Sequence, residues 1–271
     1  MIENKNEVMR KLEGILWEAA SLIRGSVEAS DYKKYILPLI FYKRLSDVFE
    51  DEVERLIEIG IATNEDEVYE LIELEREEHG KPVSVRYIIP KEYLWRYVTN
   101  RAVGLGEKLT EAMRAIAKEN PELNGVVDVV DFNETTGGER IISDDVLARV
   151  VNILSRLRLG IKDVEPDILG RAYEYMIRKF AEDSGQSAGE FYTPYEVGWL
   201  MVRLLDPEPG EEVYDPACGS GGLLIKSQLY VRSKGNNKPL RLYGQEKIPY
   251  HICYSKNECH PAQHGSRHPE R

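Results

Sequence analysis

The stretch VYDPACGSGGLLI, 213–225, has residue types and spacing that can hold a ligand. A β-branched and aromatic run before the glycines predicts a strand, and the aliphatic run after them predicts a helix. Gly219, Gly221 and Gly222 let the backbone approach a ligand closely at a helix N-terminus, in the crevice at the carboxyl end of a strand. A nucleoside triphosphate loop needs Lys directly after its last glycine, and Leu223 stands there. A dinucleotide loop needs a third glycine where this chain has Leu224. The residue entering the turn is Asp215, an anion suited to an ammonium or sulfonium cation. Glu246, expected at the tip of the next strand, can accept two hydrogen bonds from ribose hydroxyls. A cationic amino acid joined to a nucleoside describes S-adenosylmethionine.

The surrounding elements must bring these residues together. Pro207-Glu208-Pro209-Gly210 turns the chain into a strand over 212–215. A helix over 223–231, a polar turn over 235–238 and a strand over 240–245 complete a βαβ unit with parallel pairing. A polar loop, 183–189, leads into Glu190-Phe191-Tyr192-Thr193-Pro194 and a helix over 195–205. Upstream the apolar period is helical: 6–23 carries Val8, Leu12, Ile15, Leu16, Ala19, Leu22 and Ile23. A second helix follows, with Ser30 as N-cap and Pro38 as a kink or break. The Glu-rich run 51–78 reads as helix with a solvated charged face. The stretch 83–89 reads as a short strand and Gly137-Gly138 as a turn. Ser143 caps a helix to 157, and Pro166 opens one to about 181. The fold class expected is an α-helical N-terminal domain followed by the beginning of an α/β, Rossmann-like domain.

Composition narrows the rest. With 271 residues and 42% hydrophobic, the chain can build a real core in one large or two ordinary domains. It has no long apolar run and no signal-peptide order at its start, which reads as a cytoplasmic protein with no membrane contact. Three cysteines give no disulfide framework. The formal charge of -11 argues against coating nucleic acid through the overall field, so a local patch or a partner must supply cations for DNA.

GEFYTP at 189–194, DPACGSGGLLI at 215–225 and LYGQE at 242–246 resemble the N6-adenine DNA methyltransferase subunit of type I restriction-modification systems. ASDYKKYILPLIFYKRLSDVFE resembles that family's helical N-terminal domain and DILGRAYEYMIRKFA its linker helix. The resemblance implies a helical domain over 1–160, a linker helix with the cofactor-binding part over 161–246, and a tail over 247–271 unlike the family. By the same resemblance Glu190, Phe191, Tyr192, Thr193, Pro194 and Tyr195 line the methionine and adenosine. Asp215, Gly219, Ser220, Gly221 and Gly222 cradle the ligand, and Glu246 holds the ribose. Family members often carry Arg where this chain has Tyr195. The implied partners are DNA and the specificity and restriction subunits. Taken singly, Phe191 and Tyr192 read equally as core aromatics and Cys218 as a small buried hydrophobe.

The family holds its flipped adenine with an Asn-Pro-Pro-Phe/Tyr segment, and no such segment occurs in these 271 residues. No catalytic residue is therefore assigned, and the chain alone is expected to be inactive and C-terminally truncated. Four of the five histidines and two of the three cysteines fall within 247–271. Cys253, Cys259, His260, His264 and His268 could be zinc ligands, but apolar residues for a core around the metal are scarce. A frame slip accounts for the tail better. Read from the second base of each codon, the degenerate codons of 247–266 permit KYPTTYAIAKMNAILHNME, which resembles the family segment and has a helical pattern. Alternative readings are a non-catalytic helical module that docks on the specificity subunit, and a zinc-binding regulator. With the next strand of the sheet missing, the strand before the glycines should expose apolar surface.

Overall fold

The computed structural model describes residues 2–27, 31–100, 104–166, 168–183, 193–219, 221–235 and 238–245. Two compact units are present, Met1–Ala188 and Gly189–Arg271. The first is helical: α1 (Ile2–Ile23), α2 (Tyr32–Glu58), α3 (Glu65–His79), α4 (Trp95–Val98), α5 (Leu105–Glu119), α6 (Asp144–Leu154) and α7 (Ile168–Asp183). A two-residue hairpin, β1 (Thr135–Thr136) and β2 (Glu139–Arg140), precedes α6. Its turn is Gly137-Gly138, both at positive φ, as the tight hairpin requires.

The periodic stripe of α1 is buried at Leu12, Leu16, Ala19 and Ile23 and packs on α6 and α7. Helix α2 is the centre of the unit, contacting α1, α3, α4, α6 and α7. Every residue from Tyr35 to Lys43 on it is buried, so the expected single stripe is a helix covered all round. Pro38 neither breaks nor ends α2, which runs unbroken through it. A proline inside a helix costs about 3 kcal/mol. Burying Ile36, Leu37, Leu39, Ile40 and Phe41 around it gains about 1.5–3 kcal/mol for each side chain, so packing wins. Ser30 lies outside the described residues; Asp31 is the N-cap position and makes no side-chain cap bond.

The expected strand over 83–89 does not form. Side chains rather than a second strand take up its backbone polar groups. Glu75 accepts from the N–H of Val83 (2.7 Å) and Ser84 (2.9 Å), and Glu52 from that of Arg86 (3.0 Å). The amide of Asn120 accepts from Ile88 N–H and donates to Ile88 C=O, both at 2.8 Å, as a strand neighbour would. Most of the acidic run is solvated as expected, but Asp51 and Glu52 are buried. Asp51 accepts from Ile161 N–H at 2.5 Å and pairs with Arg158, while Asp47, gripped by Lys43, accepts from Leu159 N–H at 2.7 Å. These carboxylates fasten the turn after α6 to the central helix. Ser143 caps α6 through Val146 N–H, and the helix ends at Leu154, short of 157. Helix α7 turns Leu169, Ala172, Tyr173 and Met176 inward and packs on α1 and α2, so it belongs to the helical unit.

The second unit contains α8 (Tyr195–Leu205), β3 (Glu212–Asp215), α9 (Gly222–Ser233) and β4 (Arg241–Gly244). Strands β3 and β4 pair in parallel with Asp215 opposite Gly244, the βαβ arrangement expected. Helix α9 covers the strands and α8 packs on α9. Among the described residues no helix is long and apolar enough to cross a membrane.

Candidate functional site

The site forms where β3 ends. Its last residue, Asp215, is held from two sides: its carbonyl accepts from Gln245 N–H at 2.9 Å, and its own Oδ1 accepts from Ala217 N–H at 3.0 Å. The second bond is an Asx turn that bends the chain out of the strand. Cys218 N–H then donates to Gln245 C=O at 2.9 Å, so the turn is sewn to the end of β4 by two backbone bonds. Gly219 (φ +52°) and Gly221 (φ +83°) take left-handed conformations that L side chains avoid. Gly221 is the N-cap residue of α9, and Ile225 N–H returns to its carbonyl at 3.0 Å. The N–H groups before Ile225 in the first turn have no intrahelical acceptor and, with the helix dipole, suit electron-rich ligand atoms.

Packing fixes the turn against the sheet. A Cβ on Gly244 would lie 2.8 Å from Cys218 Sγ and 3.1 Å from Leu224 Cδ1, so β4 has room for glycine only at its tip. Cys218 is buried there. At the opposite end of α9, Tyr230 and Lys234 both bond Asp206, which ends α8 at φ +49°. Those bonds, that from Lys234 first, hold the Asp206 carboxyl below its ordinary range and tie α8 to α9.

Of the residues expected to line the ligand, Asp215, Gly219, Gly221 and Gly222 come together at this turn. Thr193 and Pro194 precede α8, where Pro194 is the N-cap residue, and Tyr195 opens the helix. Glu190, Phe191, Tyr192, Ser220 and Glu246 lie outside the described residues, as do the candidate zinc ligands of the tail. Sequence reasoning missed Lys226. Its side chain is 3% exposed, it packs its stem on Gly198 of α8, and its Nζ lies 4.7 Å from the centre of the Tyr195 ring. The apolar run around it concealed it, because a lysine on a helix is ordinarily a solvated residue.

Comparison with known proteins gives this geometry a family. The chain matches the family model described as HsdM N-terminal domain over residues 12–154, and that described as N-6 DNA Methylase over 164–257. It is similar to the type I restriction enzyme MjaVIII methylase subunit of Methanocaldococcus jannaschii, 33% identical over 88% of this chain and 38% of that one. The MjaIX methylase subunit of the same organism is 28% identical over 90% of this chain and 44% of the relative. The HindI methylase subunit of Haemophilus influenzae is 36% identical over 54% of this chain and 33% of the relative. The chain thus spans less than half the length of these curated relatives. The crystal structure of a type I restriction-modification system methyltransferase subunit from Streptococcus thermophilus superposes with a TM-score of 0.69 at 25% identity, over 92% of this chain and 55% of that one. With its helical unit, its parallel βαβ turn and these matches, the chain belongs to the family of methyltransferase subunits of type I restriction-modification systems.

Proposed function

We propose that this chain serves a type I restriction-modification system by binding S-adenosylmethionine at the β3–α9 turn, for methyl transfer to N6 of adenine in DNA. The observation that carries the reading is the turn itself. Two left-handed glycines bring backbone N–H groups to the mouth of the site, and a carboxylate stands at the strand tip. The residues fit this donor. Among the described residues Asp215 uses one oxygen on Ala217, leaving the other for a cation. When bound, S-adenosylmethionine supplies a sulfonium-activated methyl group. The residues of this chain bind and orient it, which lowers the barrier by positioning rather than by a covalent enzyme intermediate. Glu190, Phe191, Tyr192, Thr193 and Tyr195 would line its methionine and adenosine, Ser220 and Gly222 its backbone-facing side, and Glu246 its ribose.

Target choice would fall to the specificity subunit, in keeping with the charge of -11, and cleavage to the restriction subunit. Such a complex works on cytoplasmic DNA. Calorimetry of the 271-residue chain with S-adenosylmethionine tests the reading, with saturable one-to-one binding expected; no heat at any concentration sinks it. Because the sequence has no Asn-Pro-Pro-aromatic segment, adenine in any DNA is expected to stay unmethylated by this chain alone. The tail, read as family sequence in a shifted frame, predicts that the shifted frame soon encodes Asn-Pro-Pro-Phe or Asn-Pro-Pro-Tyr downstream; a gene without it removes that reading. A second reading, a helical module that docks on the specificity subunit without catalysis, is supported by the closed core of the first unit. It predicts co-sedimentation with that subunit and no donor binding.

A further inference from the structure

Lys226 is buried on α9 beside the start of α8, and its place suggests a task. Lys226 lies three residues after Leu223, so the two share a face of α9, and Leu223 Cδ2 meets the same Gly198 position at 3.3 Å. The Lys226 Cδ and Cε pack where a Cβ on Gly198 would lie, at 3.2 and 3.4 Å, and Nζ continues to the Tyr195 ring at the first residue of α8. The ammonium therefore stands at the opening residue of α8, on the face of α9 that carries Leu223 of its first turn. Each helix presents backbone N–H groups without intrahelical acceptors in its first turn, and each carries the positive end of a helix dipole there. Among the described residues no carboxylate lies within ion-pair distance of Nζ and no oxygen accepts a hydrogen bond from it. Glu196, in the same first turn of α8, is exposed and unpaired with it. The Tyr195 ring, a cation–π neighbour, satisfies none of the three N–H donors. A buried ammonium with no acceptor among the described residues, at the N-terminus of α8, calls for an anion.

We infer that Lys226 recognises the carboxylate of the bound methyl donor, gripping its amino-acid end between the first turns of α8 and α9. The inference rests on S-adenosylmethionine being the ligand of the β3–α9 turn. It divides the recognition of a zwitterion between two poles, with Asp215 at the strand tip facing the cationic part and Lys226 facing the anionic part. Tyr195 then serves as the surface that keeps the ammonium aimed.

The test compares two ligands on the full chain by calorimetry: S-adenosylmethionine, and S-adenosyl-3-methylthiopropylamine, the same donor without its carboxylate. The wild type should prefer the first by about 10- to 100-fold, the range of a hydrogen bond to a charged group. Lys226→Met, which keeps the stem on Gly198, should bind both ligands alike, at the wild-type affinity for the decarboxylated one, with an unliganded melting temperature no lower than wild type. Equal affinity of the wild type for the two ligands overturns the proposal without recourse to any variant. So does a Lys226→Met chain that keeps the preference, or one that melts lower and weakens toward both ligands in parallel, which would make Lys226 a packing residue. A wild type that binds neither ligand removes the S-adenosylmethionine reading itself, a result distinct from the other three.

Discussion

Asp215 does two jobs that a single alanine would confound. One oxygen shapes the turn through Ala217 N–H, and the charge is what a sulfonium or ammonium would meet. Asn keeps an acceptor for the Ala217 bond and removes the charge. Asp215→Asn is expected to leave the melting temperature unchanged and weaken S-adenosylmethionine about tenfold, the loss of one charged contact. Asp215→Ala should weaken binding at least as much and also cost about 0.5–1.5 kcal/mol of stability. Equal affinity across wild type and both variants would leave Asp215 with the turn alone. The acidic residue type at the strand tip was legible in the sequence. That half its bonding capacity is spent on its own loop was not, because an Asx bond depends on the backbone angles two residues on.

Among the elements, the segment 83–89 shows why the expected short strand does not form. Its β-branched residues suggest a strand, but Asn120, at the end of α5, supplies the complementary amide pair in place of a neighbouring chain. Asn120→Ala would strand the buried N–H and C=O of Ile88. A loss of about 2–4 kcal/mol in denaturant unfolding is expected, against less than 0.5 kcal/mol for an ordinary surface change. Glu52 on α2 makes a pH prediction. Burial raises its carboxyl above the ordinary value, against the opposing pull of the Arg86 N–H and guanidinium. A folded-state value above the unfolded one means that the ionised form burdens the folded protein. The associated stability is fully present below the unfolded value of 4.5 and lost as pH rises through the folded one. Glu52→Gln should therefore melt higher than wild type at pH 7, with the gap closing as pH falls toward 4.5. A variant less stable at neutral pH would show that the Arg86 contacts outweigh desolvation.

For the whole molecule, the described residues of the two units differ in how much apolar surface they bury. The helical unit buries side chains from all its long helices around α2. Among its described residues the second unit buries Val202, Cys218, Leu224, Ile225, Val231 and Leu240, while Leu204 and Leu205 on α8 are 77% and 63% exposed. Among the described residues β3 has β4 as its strand partner. Calorimetric melting should resolve two transitions with the smaller unit first. S-adenosylmethionine at a hundred times its dissociation constant should stabilise that transition alone by about 2.7 kcal/mol. A single transition, or a shift of both, would contradict independent units.

The sequence by itself determined the order of the two parts, the parallel βαβ unit, and the turn where Asp215 and the glycines meet. Each follows from local terms, namely apolar period, the left-handed backbone that glycine allows, and the strand-to-helix switch. The family could be read there too, since DPACGSGG and FYTP are each an unbroken run of residues. Only the tertiary structure decided that Pro38 stays inside a helix, that α7 joins the helical core, that Asp47, Asp51 and Glu52 are buried anchors, and that Lys226 lies under Tyr195. In every one of these the outcome depends on which distant residue fills the space or supplies the hydrogen bond. A lysine or an aspartate carries the same letter on a solvated face and in a core; the neighbours that distinguish the two are 28 to 112 positions away in the chain.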